Sequence, residues 1–229
     1  MENTSEPRRD FATEAERILH SAELHTQEVF RPLGVIAVAI IQAATRCRDY
    51  AKTLTPLDDS SVTLENEILL FFEFVYIFAH IALRKAFGNM SNSRLRLLQD
   101  FMLAMIPVSA IDVYFYHLPQ SQQADIEDDF IAKLDRAEIE YGNCTSTWNP
   151  TQILTALSGR LRVALPKQNA NDQVISTIVG NVAHEIEHMQ LDTPVWSFAN
   201  LRMSEPEEMR MSSNFLQLRR IRRMDTEDQ

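Results

Sequence analysis

The segment His184-Glu185-Ile186-Glu187-His188 has the spacing H-E-x-x-H. On a helix, residues four apart share a face, so the two imidazoles project together. Such a pair can hold a zinc ion. In zinc hydrolases the glutamate between the histidines is the base that activates water. A catalytic zinc takes a third protein ligand, and Glu207 follows in the chain as the candidate. On this reading His184, His188 and Glu207 are metal ligands and Glu185 is the catalytic base.

The set His184, Glu185, His188 and Glu207 resembles the gluzincin type of zincin metallopeptidase. That resemblance implies a zinc cofactor and peptide hydrolysis. The same residues also allow a plainer reading. Val174, Ile175, Ile178, Val179, Val182, Ile186 and Met189 form one apolar stripe, and His184 and His188 point to the opposite side. An amphipathic helix with a polar outer face has this pattern. A third reading takes Glu185-Ile186-Glu187-His188 as Glu-x-x-His, which di-iron four-helix bundles use twice. No second copy is present: Glu73 and His80 are seven apart, and Glu16 and His20 four apart.

A second constellation lies in an otherwise greasy stretch. Glu73, Tyr76, His80 and Arg84 follow at spacings of three, four and four, on one helical face. This narrow line is either the sliver of a core helix that reaches water or the lining of a ligand pocket. In a pocket, burial and pairing would shift the pKa values. A small ligand would be sought here first.

Other candidates have structural explanations. Asp125, Glu127, Asp128 and Asp129 resemble a magnesium-binding cluster, but acids are also favoured in the first turns of a helix. Trp148 and Trp196 are expected as packing anchors, and His20 and His25 diverge on their helix. The basic run Arg219-Arg220-Ile221-Arg222-Arg223 suits pairing with an acidic body. The serines and cysteines have no nucleophile-elbow context, and no Gly-rich phosphate loop is present.

The elements that must position these residues read as helices throughout. Only 5 glycines occur in 229 residues, and no strand alternation is visible. Helices are expected over 10–30 and 34–54, divided at Arg31-Pro32-Leu33-Gly34, and over 63–87, capped by Thr63 and stopped at Gly88. Another starts near 91 and is kinked or split by Pro107 before ending near 117. Three more are expected at about 121–141, 151–164 and 172–191. The fold class is therefore all-α, one irregular bundle of seven or eight helices. Residues 1–9 are expected to be frayed, 10–204 to form the bundle, and 205–229 to form a polar, basic C-terminal segment.

Composition narrows the function. The formal charge of −10 and pI near 5.1 disfavour nucleic acid as a partner. Cys47 and Cys144 form no disulfide framework, which points to a reducing compartment, and the polar start of the chain lacks a secretory pattern. The apolar run Ile68 to Leu83 falls short of the ~20 residues that a membrane span needs, and it contains Glu73 and His80, so a buried helix is expected. The expected function is cytoplasmic, non-enzymatic binding of a partner protein or a small ligand, without a cofactor. The alternative is the zinc-dependent hydrolase. A homodimer is the natural oligomer to expect.

Overall fold

Helix formers run between sparse breakers in this chain, and 45% of its residues are hydrophobic. A computed structural model describes residues 25–55, 60–144, 150–166 and 170–227. Among the described residues it contains eight α-helices and no strand. They are α1 (His25–Leu54), α2 (Ser60–Phe87), α3 (Asn92–Phe115), α4 (Gln120–Gly142), α5 (Pro150–Ala164), α6 (Asp172–His188), α7 (Asp192–Ala199) and α8 (Glu205–Glu227). The all-α bundle of seven or eight helices read from the sequence is the fold observed. Residues 1–9, expected to be frayed, most of the helix expected over 10–30, His20 and Trp148 lie outside the described residues.

Local chemistry sets several helix ends. Ser91 caps α3 by accepting from the Arg94 N–H, and Asn171 caps α6 by accepting from the Val174 N–H. α2 stops at Phe87, just before Gly88. Its start is earlier than expected, at Ser60, so Thr63 lies within the helix.

The break expected at Pro32 and the split allowed for at Pro107 are not found. α1 runs unbroken through Pro32, and α3 runs unbroken through Pro107. A helical proline forfeits one backbone bond and crowds the preceding turn. Both prolines are buried, and Val29, Leu33 and Ile36 pack into the core around Pro32. Burial of that apolar surface outweighs one lost bond.

α2 is the central element. It packs against α1, α3, α4, α5, α6 and α7. Phe71, Phe74, Val75, Ile77 and Phe78 are fully buried, so apolar residues fill most of its circumference. α8 packs along α3 and also touches α4. Its Met211, Phe215 and Leu218 join the core, and Phe215 meets Phe30 and Phe101 edge-on at 5.4 and 5.3 Å. The stretch expected as a polar C-terminal segment thus supplies core residues as well. Trp196, expected to anchor packing, is instead 67% exposed on α7.

By length and composition alone, three helices among the described residues could cross a membrane: Glu28–Leu54, Leu64–Phe87 and Asn92–Phe115. Their most apolar windows are 44%, 67% and 50% buried against the rest of the chain.

Candidate functional site: a polar centre between three helices

The polar line on α2 does not face water. Tyr76 is fully buried and His80 is 4% exposed, because this face of α2 packs on α4 and α5. Glu73, Tyr76, His80 and Arg84 all meet partners from those two helices or from the turn after α4.

Arg160 of α5 organises the first half of the centre. Its guanidinium forks onto both oxygens of Glu73, with Nη2 donating to Oε1 at 3.0 Å, and Nη1 donates to Glu140 Oε2 of α4 at 2.8 Å. It also lies over the rings of Tyr76 and Tyr141, 5.7 and 5.9 Å from their centroids. An arginine suits this place because a planar fork binds carboxylates bidentately and stacks on aromatic faces.

His80 and Arg84 organise the second half. Arg84 Nε donates to His80 Nε2 at 3.1 Å. A guanidinium only donates, so Nε2 accepts and the ring proton sits on Nδ1. Nδ1 then donates to Glu138 Oε2 of α4 at 2.9 Å. The Arg84 Nη2 reaches the carbonyls of Tyr141, Gly142 and Cys144 at 3.3–3.4 Å, placing a cation at the negative end of α4.

Burial governs the ionisation of the centre. It pushes the Glu73 carboxyl above its ordinary value, against the pull of Arg160. It pushes the phenols of Tyr76 and Tyr141 up strongly, with the Glu73 charge adding to the effect. For Arg160, burial pulls down, but the bond to Glu73 carries it above the usual arginine range.

Three buried polar atoms in this centre have no hydrogen-bond partner among the described residues: Tyr76 Oη, Tyr141 Oη and Glu138 Oε1. Native proteins leave few such atoms, and each is costly when bare. Tyr76 and Tyr141 lie beside Arg160, and Glu138 is bound to His80. The His80 and Tyr141 rings are 5.4 Å apart, and both phenol rings flank Arg160.

The H-E-x-x-H residues are placed differently. His184 and His188 are exposed on the outer face of α6, while Ile175, Ile178, Val182 and Ile186 are buried on the inner face. Glu185 is held by Arg46 of α1, whose Nε and Nη2 donate to its carboxylate at 2.7–3.1 Å. Glu207 accepts from the Ser204 N–H and hydroxyl, both at 2.7 Å, at the start of α8. That is the glutamate of a capping box. Among the described residues, no three His, Cys, Asp or Glu side chains converge as a metal site. The hydrolase set is therefore not brought together: its base is committed to an ion pair and its third ligand to a helix cap.

Sequence reading found the α2 half of the centre and missed Glu138, Glu140, Tyr141 and Arg160. A signal for Arg160 existed. It falls between Leu157 and Ala164, at the spacing of the buried seam Ile153–Leu157–Leu161 on α5. A second buried pair was also missed, Arg94 of α3 with Glu208 of α8, whose side chains are 7% and 4% exposed.

Compared with known proteins, the chain matches no family model, no curated protein and no solved structure.

Proposed function

We propose that the protein binds a small polar ligand in the centre between α2, α4 and α5, and that it acts by binding rather than by catalysis. One observation carries this reading. Tyr76 Oη, Tyr141 Oη and Glu138 Oε1 are buried in the same centre without a partner among the described residues. Two phenols can donate or accept, and a carboxylate oxygen accepts. A ligand with a donor for Glu138 Oε1 and a further donor or acceptor for each phenol, such as an amine, an amide or a polyol, would satisfy all three. The neighbouring charges favour a neutral or cationic one: Glu73, Glu138 and Glu140 face Arg160 and Arg84.

Binding is favoured over catalysis because the charged side chains beside these three atoms are tied to one another. Glu73 and Glu140 hold Arg160, and His80 bridges Glu138 and Arg84. None is left as an activated nucleophile. A soluble, cytoplasmic setting belongs to the same proposal. Its support is that the α2 charges are met by protein groups on α4 and α5, and that this apolar helix is surrounded by six others.

The test is to denature the purified protein and analyse the released small molecules by mass spectrometry, alongside Tyr76→Phe and Tyr141→Phe. The wild type should release one compound in near-stoichiometric amount, and the two variants should not. Removing an unsatisfied hydroxyl should also raise the stability of the ligand-free protein by about 1 kcal/mol or more. The same compound released equally by all three proteins would overturn the assignment of the site. No compound released by any of them would overturn the ligand itself.

A further inference from the structure

The outer face of α6 carries a second site, independent of the polar centre. We infer that His184 and His188 together chelate one divalent transition-metal ion at the surface, as a two-histidine clamp with its remaining positions open to water.

The two rings already stand side by side. The two imidazoles are four residues apart, both exposed, with ring centroids 3.9 Å apart. The rings are therefore already paired, and the clamp costs little ordering. His188 Nδ1 lies 2.7 Å from the His184 carbonyl oxygen. A carbonyl only accepts, so Nδ1 carries the proton and Nε2 presents its lone pair. Metal-binding histidines are commonly fixed in this way, with the second ring nitrogen donating to a backbone carbonyl.

The electrostatics favour a cation. His188 is the last residue of α6, and both rings lie in its final turns, where the helix dipole presents its negative end. Glu187 is exposed on the same turn, and the chain carries a formal charge of −10. Arg46, which reaches α6 through Glu185, is neutralised by its bidentate bond to that residue.

The chemistry selects the ion. Imidazole suits zinc, copper and nickel, whereas calcium and magnesium prefer oxygen ligands. This clamp is not the catalytic zinc of the hydrolase reading, since Glu185 and Glu207 take no part in it. Copper should bind more tightly than nickel or zinc, following the usual order for nitrogen ligands.

The experiment is calorimetric titration of the full chain with Cu(II), Ni(II) and Zn(II) after dialysis against a chelator. His184→Ala, His188→Ala, the double variant and His117→Ala are titrated in parallel. His117 is an exposed histidine on the segment after α3 and serves as a single-imidazole control. The wild type should take up one ion per chain at this site. Either single α6 variant should weaken it by about tenfold or more, because the second nitrogen then no longer binds intramolecularly. His117→Ala should leave it unchanged, and far-UV circular dichroism should show unaltered helicity in all variants. Wild-type binding no tighter than that of the double variant would overturn the clamp. So would a loss that follows His117.

Discussion

Arg160 is a guanidinium held between two phenol rings with a carboxylate on each exposed edge. Its side chain is 14% exposed and that of Glu73 15%, so the pair is largely removed from water. Such a pair contributes little net stability, because desolvation consumes most of the Coulomb attraction. Breaking it is another matter, since the survivor is left charged and buried. Arg160→Ala and Glu73→Ala should each lower the unfolding free energy by about 3 kcal/mol or more. The double variant Glu73→Ala/Arg160→Ala should lose less than the sum of the two single changes, because neither charge is then left buried without its partner. Urea unfolding of the three variants gives the coupling between the two residues. Additive losses would mean that the pair is not a unit, and that the centre is held by packing alone.

At the scale of elements, two arginines do the same task at two junctions. Arg84 donates to the carbonyls that end α4, and Arg94 donates to the carbonyls of Phe198, Ala199 and Leu201 that end α7. Arg94 also binds Glu208 on α8, while Ser93 donates to that carboxylate. One buried side chain thus fixes α3, the end of α7 and the start of α8. Lysine has the charge but not the fork, so it cannot serve three carbonyls and a carboxylate at once. Arg94→Lys should leave α1 and α2 protected while amide exchange in α7 and the first turns of α8 speeds up, as hydrogen-exchange mass spectrometry would show. Uniform exchange across the chain would refute this local role. The helices up to α6 were legible because their apolar residues recur at helical spacing and Gly88 marks an end, whereas α7 and α8 were not read from the short, polar C-terminal stretch. Pro32 and Pro107 misled because the rule for prolines is local, while the burial that overrides it is tertiary. The polar line Glu73–Tyr76–His80–Arg84 was legible from spacing alone. Its partners were not, because spacing gives the face of each helix and not the rotation at which two helices meet. For the same reason H-E-x-x-H was visible, but Arg46 on Glu185 was not.

Over the whole molecule, the buried ionisable groups predict how the fold responds to alkali. Burial pushes the phenols of Tyr76, Tyr141 and Tyr114 up in the folded state, and it does the same to the Cys47 thiol. In the unfolded chain these groups titrate near their ordinary values, about 10 for tyrosine and about 8.5 for cysteine. A group whose folded value is raised contributes stability that is fully present below its unfolded value and is lost as pH rises toward its folded one. Stability should therefore begin to fall near pH 8.5 through Cys47 and fall more steeply above about pH 10 through the tyrosines. Each group contributes a slope of about 1.4 kcal/mol per pH unit in its window. Growing negative charge on an already acidic chain adds self-repulsion, but that part is common to all variants. The Tyr76→Phe/Tyr141→Phe double variant should therefore lose about 2.8 kcal/mol per pH unit less than the wild type above pH 10. Its midpoint of alkaline unfolding, followed by circular dichroism, should move to higher pH. Parallel stability curves for the two proteins would mean that the phenols already meet water in the folded state, and the unpartnered hydroxyls that carry the ligand proposal would then be solvated rather than waiting for a partner.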